Sequence, residues 1–239
     1  MRKLLEVGGI VAAAVLIAFG ITSLVMGFNG RNTVTSSLKN EYIVGSPDMS
    51  PTAIAPEVTA VQKAQQQLAV AAKKAGATFA PTPIAVPSVD VANKAITSGT
   101  RAHAFAGYMR IHTLGATNGL TYSQMGRFVA KPGTPLKFTD LIGGTSDPKY
   151  AAVDPKTKQP VANGRRDIWV TETALTTALN ASYMADKLSL FGAVVGIALL
   201  LAGIGFAILA VGGTLRGVEP AFKLFAKKAP AGTKPVPTV

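Results

Sequence analysis

Two long uncharged apolar runs bracket this chain. No charged residue falls from Val7 through Gly30, and none from Leu188 through Leu215. A helix needs about 20 apolar residues to cross a hydrocarbon core of about 30 Å, and each run exceeds that. Lipid offers no partners to backbone N–H and C=O groups, so a spanning segment must satisfy them internally as a helix. The expected fold is a mainly α membrane protein. Two transmembrane helices flank a small helical outer domain with a turn-rich segment and a candidate hairpin. The expected bounds are 1–6 for a cytoplasmic N-terminus, 7–29 for the first span, 30–187 for the extracytoplasmic domain, 188–213 for the second span and 214–239 for a basic cytoplasmic tail with a disordered end.

Flanking charge sets the expected threading. Arg2 and Lys3 precede the first run, and Arg216, Lys223, Lys227, Lys228 and Lys234 follow the second, against Glu6 and Glu219. Basic residues on short segments stay cytoplasmic, which places both termini inside and the middle outside, in the cell membrane. The first run is too long for a signal-peptide core. Ser23 to Phe28 offers no Ala-x-Ala-like site, so an uncleaved anchor is expected.

Small residues mark one face of each span. They are Gly9, Ala13, Gly20 and Gly27 in the first, and Gly192, Gly196 and Gly203 in the second. In lipid such residues let backbones approach closely. Packing of the two helices on each other explains them most simply. A homo-oligomer or a larger membrane or envelope protein partner explains them too.

Composition excludes several classes. Cysteine is absent, which removes thiolate chemistry and zinc-thiolate sites. The net charge is +12, yet no basic block occurs outside the tail and aromatics are few. Nucleic acid is therefore not an expected partner. Neither span contains an ionisable residue, which disfavours transport.

Between the spans, Ser50-Pro51 reads as a helix start, with an apolar stripe from Ile54 to Ala72 and a C′ glycine at Gly76. Pro56 sits early enough to delay that start. Residues 80–89 form a proline-rich linker. A helix is expected from about Val91 to Leu114. Thr121–Gln124 fits a capping box, with a short helix from Tyr122 to about Ala130. Strands near 149–153 and 159–162 with a turn at 154–157 make the candidate hairpin. One continuous helix is expected from about Thr171 to Ala210.

No residue set makes a convincing catalytic constellation, and no catalytic, metal or cofactor site is expected. His103 and His112 are nine apart, on nearly opposite faces of one straight helix, so they cannot hold one metal together. Ser146 and Lys149 match Ser-x-x-Lys, but in a loop with a proline between them. Asp140, Asp147, Asp154 and Asp167 offer carboxylates for an envelope hydrolase, although their neighbours suit turn and cap roles better.

The segments Met1–Gly9, Tyr108–His112, Thr121–Phe128 and Trp169–Leu175 resemble a family of small actinobacterial two-span membrane proteins. The likeness covers most of the chain except about Thr52 to Val86. Members of that family are often labelled aromatic ring-opening dioxygenase. The resemblance implies an actinobacterial cell-envelope setting. It also implies a cysteine pair near Val89 to Ala104, which this chain lacks. An extradiol enzyme needs an iron site of histidines and a carboxylate, and the two histidines here do not supply it. The reading that remains is a non-enzymatic, membrane-anchored binding or interaction module.

The threading is testable by thiol labelling in intact cells. A cysteine placed near residue 125 is expected to react with an impermeant reagent, and one in the lysine-bearing tail to react only after permeabilisation.

Overall fold

The computed structural model describes residues 2–212. Arg216, Lys223, Lys227 and Lys228, and the tail that carries them, lie outside the described residues. The fold is mainly helical. Its elements are α1 (Arg2–Asn40), α2 (Ala55–Lys74), α3 (Gly99–Ala116), β1 (Phe128–Val129), β2 (Gly144–Thr145) and α4 (Arg165–Val211). Helices α1 and α4 are long and apolar enough to cross a membrane. The chain divides into two compact units, one from its two ends and one from Phe28–Leu190.

In the first unit α1 and α4 touch through their small residues. Gly9, Ala13, Gly20, Gly27, Gly196 and Gly203 are buried, and Gly192 is half-buried. A Cβ built on Gly20 would sit 2.9 Å from the Leu200 nitrogen and 3.0 Å from the Gly196 carbonyl oxygen. One on Gly196 would meet the Gly20 oxygen and the Leu24 nitrogen at 2.8 Å. One on Gly203 would lie 3.0 Å from the Ile17 nitrogen. The backbones are too close for side chains at these positions. Nearby, the Ser23 hydroxyl donates to the Gly192 carbonyl at 2.7 Å. The opposite faces expose large apolar side chains such as Phe19, Met26, Phe191 and Leu201, each more than half exposed.

The second unit is organised around α3. Phe105, Tyr108 and Ile111 are buried with Val34 and Leu38 of α1, Ile54, Val91, Ile96 and Leu179 of α4. A second cluster joins Val61 and Leu68 of α2 to Leu114, Leu120, Met125 and Trp169. The Trp169 indole donates to the Leu120 carbonyl at 2.9 Å, which satisfies its polar edge inside the core. Arg31 of α1 pairs with the buried Asp186 of α4 at 3.3 Å.

Four expected boundaries move, the first being the start of α4, which lies at Arg165 and not at about Thr171. The α2 helix begins at Ala55, not at Ser50-Pro51, and Pro56 falls in its first positions. The Ser50 hydroxyl accepts from the Ala53 N–H in a separate turn before it. The end of α2 is as read, with Gly76 at φ +69°. The α3 helix begins at Gly99 behind a Ser98 cap, eight residues later than Val91. Residues 91–96 instead turn at Asn93 (φ +55°) and are pinned to 43–49, by Ile96 N–H to the Ile43 carbonyl at 2.9 Å and Val91 N–H to the Met49 carbonyl at 3.0 Å. The short helix expected over 122–130 is a single 3₁₀ turn, Tyr122–Gln124. Phe128 and Val129 pair with Thr145 and Gly144 as an antiparallel ladder. That long-range pairing overrides the local helical reading.

The hairpin exists as a short set of rungs. Val153 bridges Pro160, and Val161 N–H donates to the Ala152 carbonyl at 2.8 Å. Asp154 closes the turn by accepting from the backbone N–H groups of Lys156 and Thr157 at 2.7 and 2.8 Å. The Thr157 and Lys156 bonds hold its carboxyl below the usual range.

Substituting Gly196 or Gly203 by valine is expected to destabilise the α1–α4 pair by about 1–3 kcal/mol, since overpacking forces the backbones apart. Gly205→Ala, where an added Cβ meets nothing within 4 Å, is expected to be close to neutral. Thermal unfolding in detergent would separate the two cases.

Candidate binding groove

The Phe28–Leu190 unit contains a groove of about 650 Å³. One wall is α3, through His103, Gly107, Arg110 and Leu114. The opposite wall is α4, through Glu172, Thr176, Asn180, Tyr183 and Lys187. These positions step by three and four residues, so each set occupies one helical face. Pro83 to Val89 runs along the groove as the third wall.

Two contacts hold that extended segment in place. The buried Tyr108 hydroxyl lies 3.2 Å from both the Pro87 and Val89 carbonyl oxygens. Burial pushes the Tyr108 hydroxyl up from its ordinary value, with the charge of Asp90 adding to the effect. Gly107 leaves room for the strand, because a Cβ there would come within 2.6 Å of Pro87 Cγ. Prolines at 81, 83 and 87 limit the segment's alternatives in the unfolded state and keep it from forming a helix.

The two helical walls are clasped directly. His103 Nδ1 is 2.7 Å from Asn180 Oδ1, and the His103 ring stacks on Tyr183 with centroids 4.6 Å apart. Lys187 lies over the Tyr183 ring at 5.2 Å and reaches the Thr100 hydroxyl at 3.4 Å. Arg110 stacks over Trp169 at 5.2 Å. Glu172 is buried, with its carboxylate accepting from the Thr173 hydroxyl at 3.3 Å. The groove therefore combines apolar walls with Arg110, Lys187 and one buried carboxylate. Such a lining is of the kind that can bind and orient a ligand.

The four aspartates named in the sequence do not line this groove. Asp140 accepts from the backbone N–H groups of Gly126, Ile142 and Gly144 at 2.6, 3.0 and 2.7 Å. Asp147 caps the 3₁₀ turn Pro148–Tyr150 through Lys149 N–H at 2.9 Å. Asp154 closes its hairpin turn, and Asp167 stands in the first turn of α4. Asp147 and Asp154 serve their own turns, and Asp140 ties Gly126 to the 140–144 turn. Ser146 precedes that 3₁₀ turn and Lys149 lies within it, so the pair does not sit at the start of an α-helix. His103 and His112 are separated: His103 is in the groove clasp, while His112 contacts Glu57 and Asp48.

Sequence reasoning missed the groove. The 3–4 periodicity of its polar residues on α4 was present, but which face met α3 was not encoded locally. No protein-family model, curated protein or solved structure matches the chain.

Tyr108→Phe is expected to cost about 1–2 kcal/mol, the usual worth of a buried hydrogen bond, and to free residues 83–89. The raised folded pKa of Tyr108 means its contribution is complete below the ordinary tyrosine value of 10.0. That contribution is lost as pH rises through the folded value. The phenylalanine variant should lack this alkaline loss. Thermal unfolding against pH, with hydrogen exchange of 83–89, checks both.

Proposed function

We propose that this is a membrane-anchored cell-envelope protein that acts by binding, holding a segment of an envelope or membrane partner in the groove between α3 and α4. The observation that carries this reading is the built character of the groove. Two helix faces and an extended strand are fixed around it by the His103–Asn180 clasp and the Tyr108 hydroxyl.

The anchor rests on exposed apolar surface. The core helix of a water-soluble protein hides such side chains. Here Leu4, Phe19, Met26, Phe28, Phe191, Leu201 and Ile208 are each more than half exposed. Exposed apolar area on this scale marks a membrane or a large interface. The charge pattern supports termini on the cytoplasmic side and the Phe28–Leu190 unit outside. The family resemblance supports an actinobacterial envelope.

A binding role suits the side chains better than hydrolysis. The aspartates of 140–154 are committed to backbone N–H groups, and the His103 nitrogen that faces α4 is committed to Asn180. The test is site-specific photocrosslinking in native membranes. A photoreactive residue at Val86, on the groove and partly exposed, is expected to capture one reproducible neighbour. The same residue at Val129, exposed and outside the groove lining, is expected to capture none. Equal capture at both positions, or none at Val86, would count against the groove as the binding surface.

A further inference from the structure

A second cluster stands apart from the groove. Asp48 lies in the turn before α2, Glu57 in the first turn of α2 and His112 on α3. One ligating atom from each lies within 4.8 Å of the others. His112 Nδ1 is 2.7 Å from Glu57 Oε2. His112 Nε2 is 3.6 Å from Asp48 Oδ2. That nitrogen is buried and has no hydrogen-bond partner.

The tautomer follows from the short contact. A nitrogen 2.7 Å from a carboxylate oxygen must carry the proton, so Nδ1–H donates to Glu57. A neutral imidazole has one N–H, and Nε2 then presents a lone pair. In that neutral form the lone pair faces a carboxylate oxygen. Two acceptors opposed in this way repel, and their 3.6 Å separation is longer than a hydrogen bond. A cation between them resolves the conflict. With metal–ligand bonds of about 2.0–2.2 Å, two ligands on one ion stand about 2.9–3.6 Å apart as their angle opens from about 90° to about 120°.

We propose that His112 Nε2 and Asp48 Oδ2 bind a divalent cation of the zinc, cobalt or nickel type, with Glu57 orienting the imidazole. A carboxylate on the far nitrogen of a ligating histidine is the common device for fixing its tautomer and raising its basicity. Imidazole selects these ions over magnesium and calcium, which prefer oxygen ligands alone. The rest of the site fits. The Ser46 hydroxyl donates to Asp48 Oδ1 and leaves Oδ2 for the ion. Gly115 lets Glu57 reach His112, because a Cβ there would come within 2.5 Å of Glu57 Oε1. Asp48 is half exposed, which leaves the outer coordination positions to water. The ion ties the 46–50 turn to α3.

The test uses the full chain without an affinity tag, stripped by chelator, in detergent micelles. Cobalt titration is read by ligand-field absorption, and zinc titration by calorimetry and thermal unfolding. One equivalent is expected to bind, and zinc is expected to raise the unfolding midpoint. His112→Gln should abolish the cobalt spectrum. Glu57→Gln should weaken zinc binding by about 10–100-fold, the usual cost of an outer partner. Asp48→Asn, on a half-exposed turn, keeps the fold and should weaken binding at least about tenfold. Absence of uptake overturns the proposal. So does uptake that His112→Gln and Asp48→Asn leave unchanged, which would mark an adventitious ion only. Nitrogen-15 spectra showing Nε2 protonated at neutral pH with equimolar zinc present would assign the gap to a proton and overturn it too.

Discussion

The pairing of α1 with α4 is the constraint on which the rest depends. These helices are far apart in sequence, and everything between Asn40 and Arg165 is a closed excursion from one to the other. Small residues set the pairing in the end-derived unit, where Gly20 and Gly196 bring backbone against backbone. In the Phe28–Leu190 unit different chemistry serves the same pair. Arg31 meets Asp186, and Val34 and Leu38 share a core with Leu179. The ion pair lies between an exposed arginine and a largely buried aspartate, so its value is in register more than in gross stability.

Within the excursion, α3 is the central element. It contributes to both apolar clusters, one wall of the groove and the histidine of the Asp48–Glu57–His112 group. Its buried residues, among them Ala102, Phe105, Tyr108, Ile111 and Leu114, fall on more than one face, as in a helix packed on several sides. Different neighbours use different faces of it. The α2 helix covers one side, the proline-rich strand another and α4 a third.

Much of this was legible in the chain before any coordinates. The uncharged runs located α1 and α4, because charge is costly in lipid and its absence over such lengths is rarely accidental. The glycine at 76 ended α2 by its left-handed backbone. The errors cluster where distant segments meet. Gly99, behind the Ser98 cap, and not Val91 starts α3, since 91–96 is claimed by backbone bonds to 43–49. Residues 128–129 leave a helical pattern because Gly144 and Thr145 offer a ladder. The groove was not legible, since it depends on which helical faces meet. Asp48, Glu57 and His112 were not legible as a group either. They are 9 and 55 residues apart with no spacing rule, and each reads alone as a turn, first-turn or helix-face residue.

The hydrogen of Gly107 is a spacer of fixed size. It sets how near the proline-rich wall can lie to α3, and with it the width of the slot. One methyl group there would act as a wedge, lifting Pro87 and drawing its carbonyl away from Tyr108. The width of the slot is thus adjustable by a single methyl group on α3.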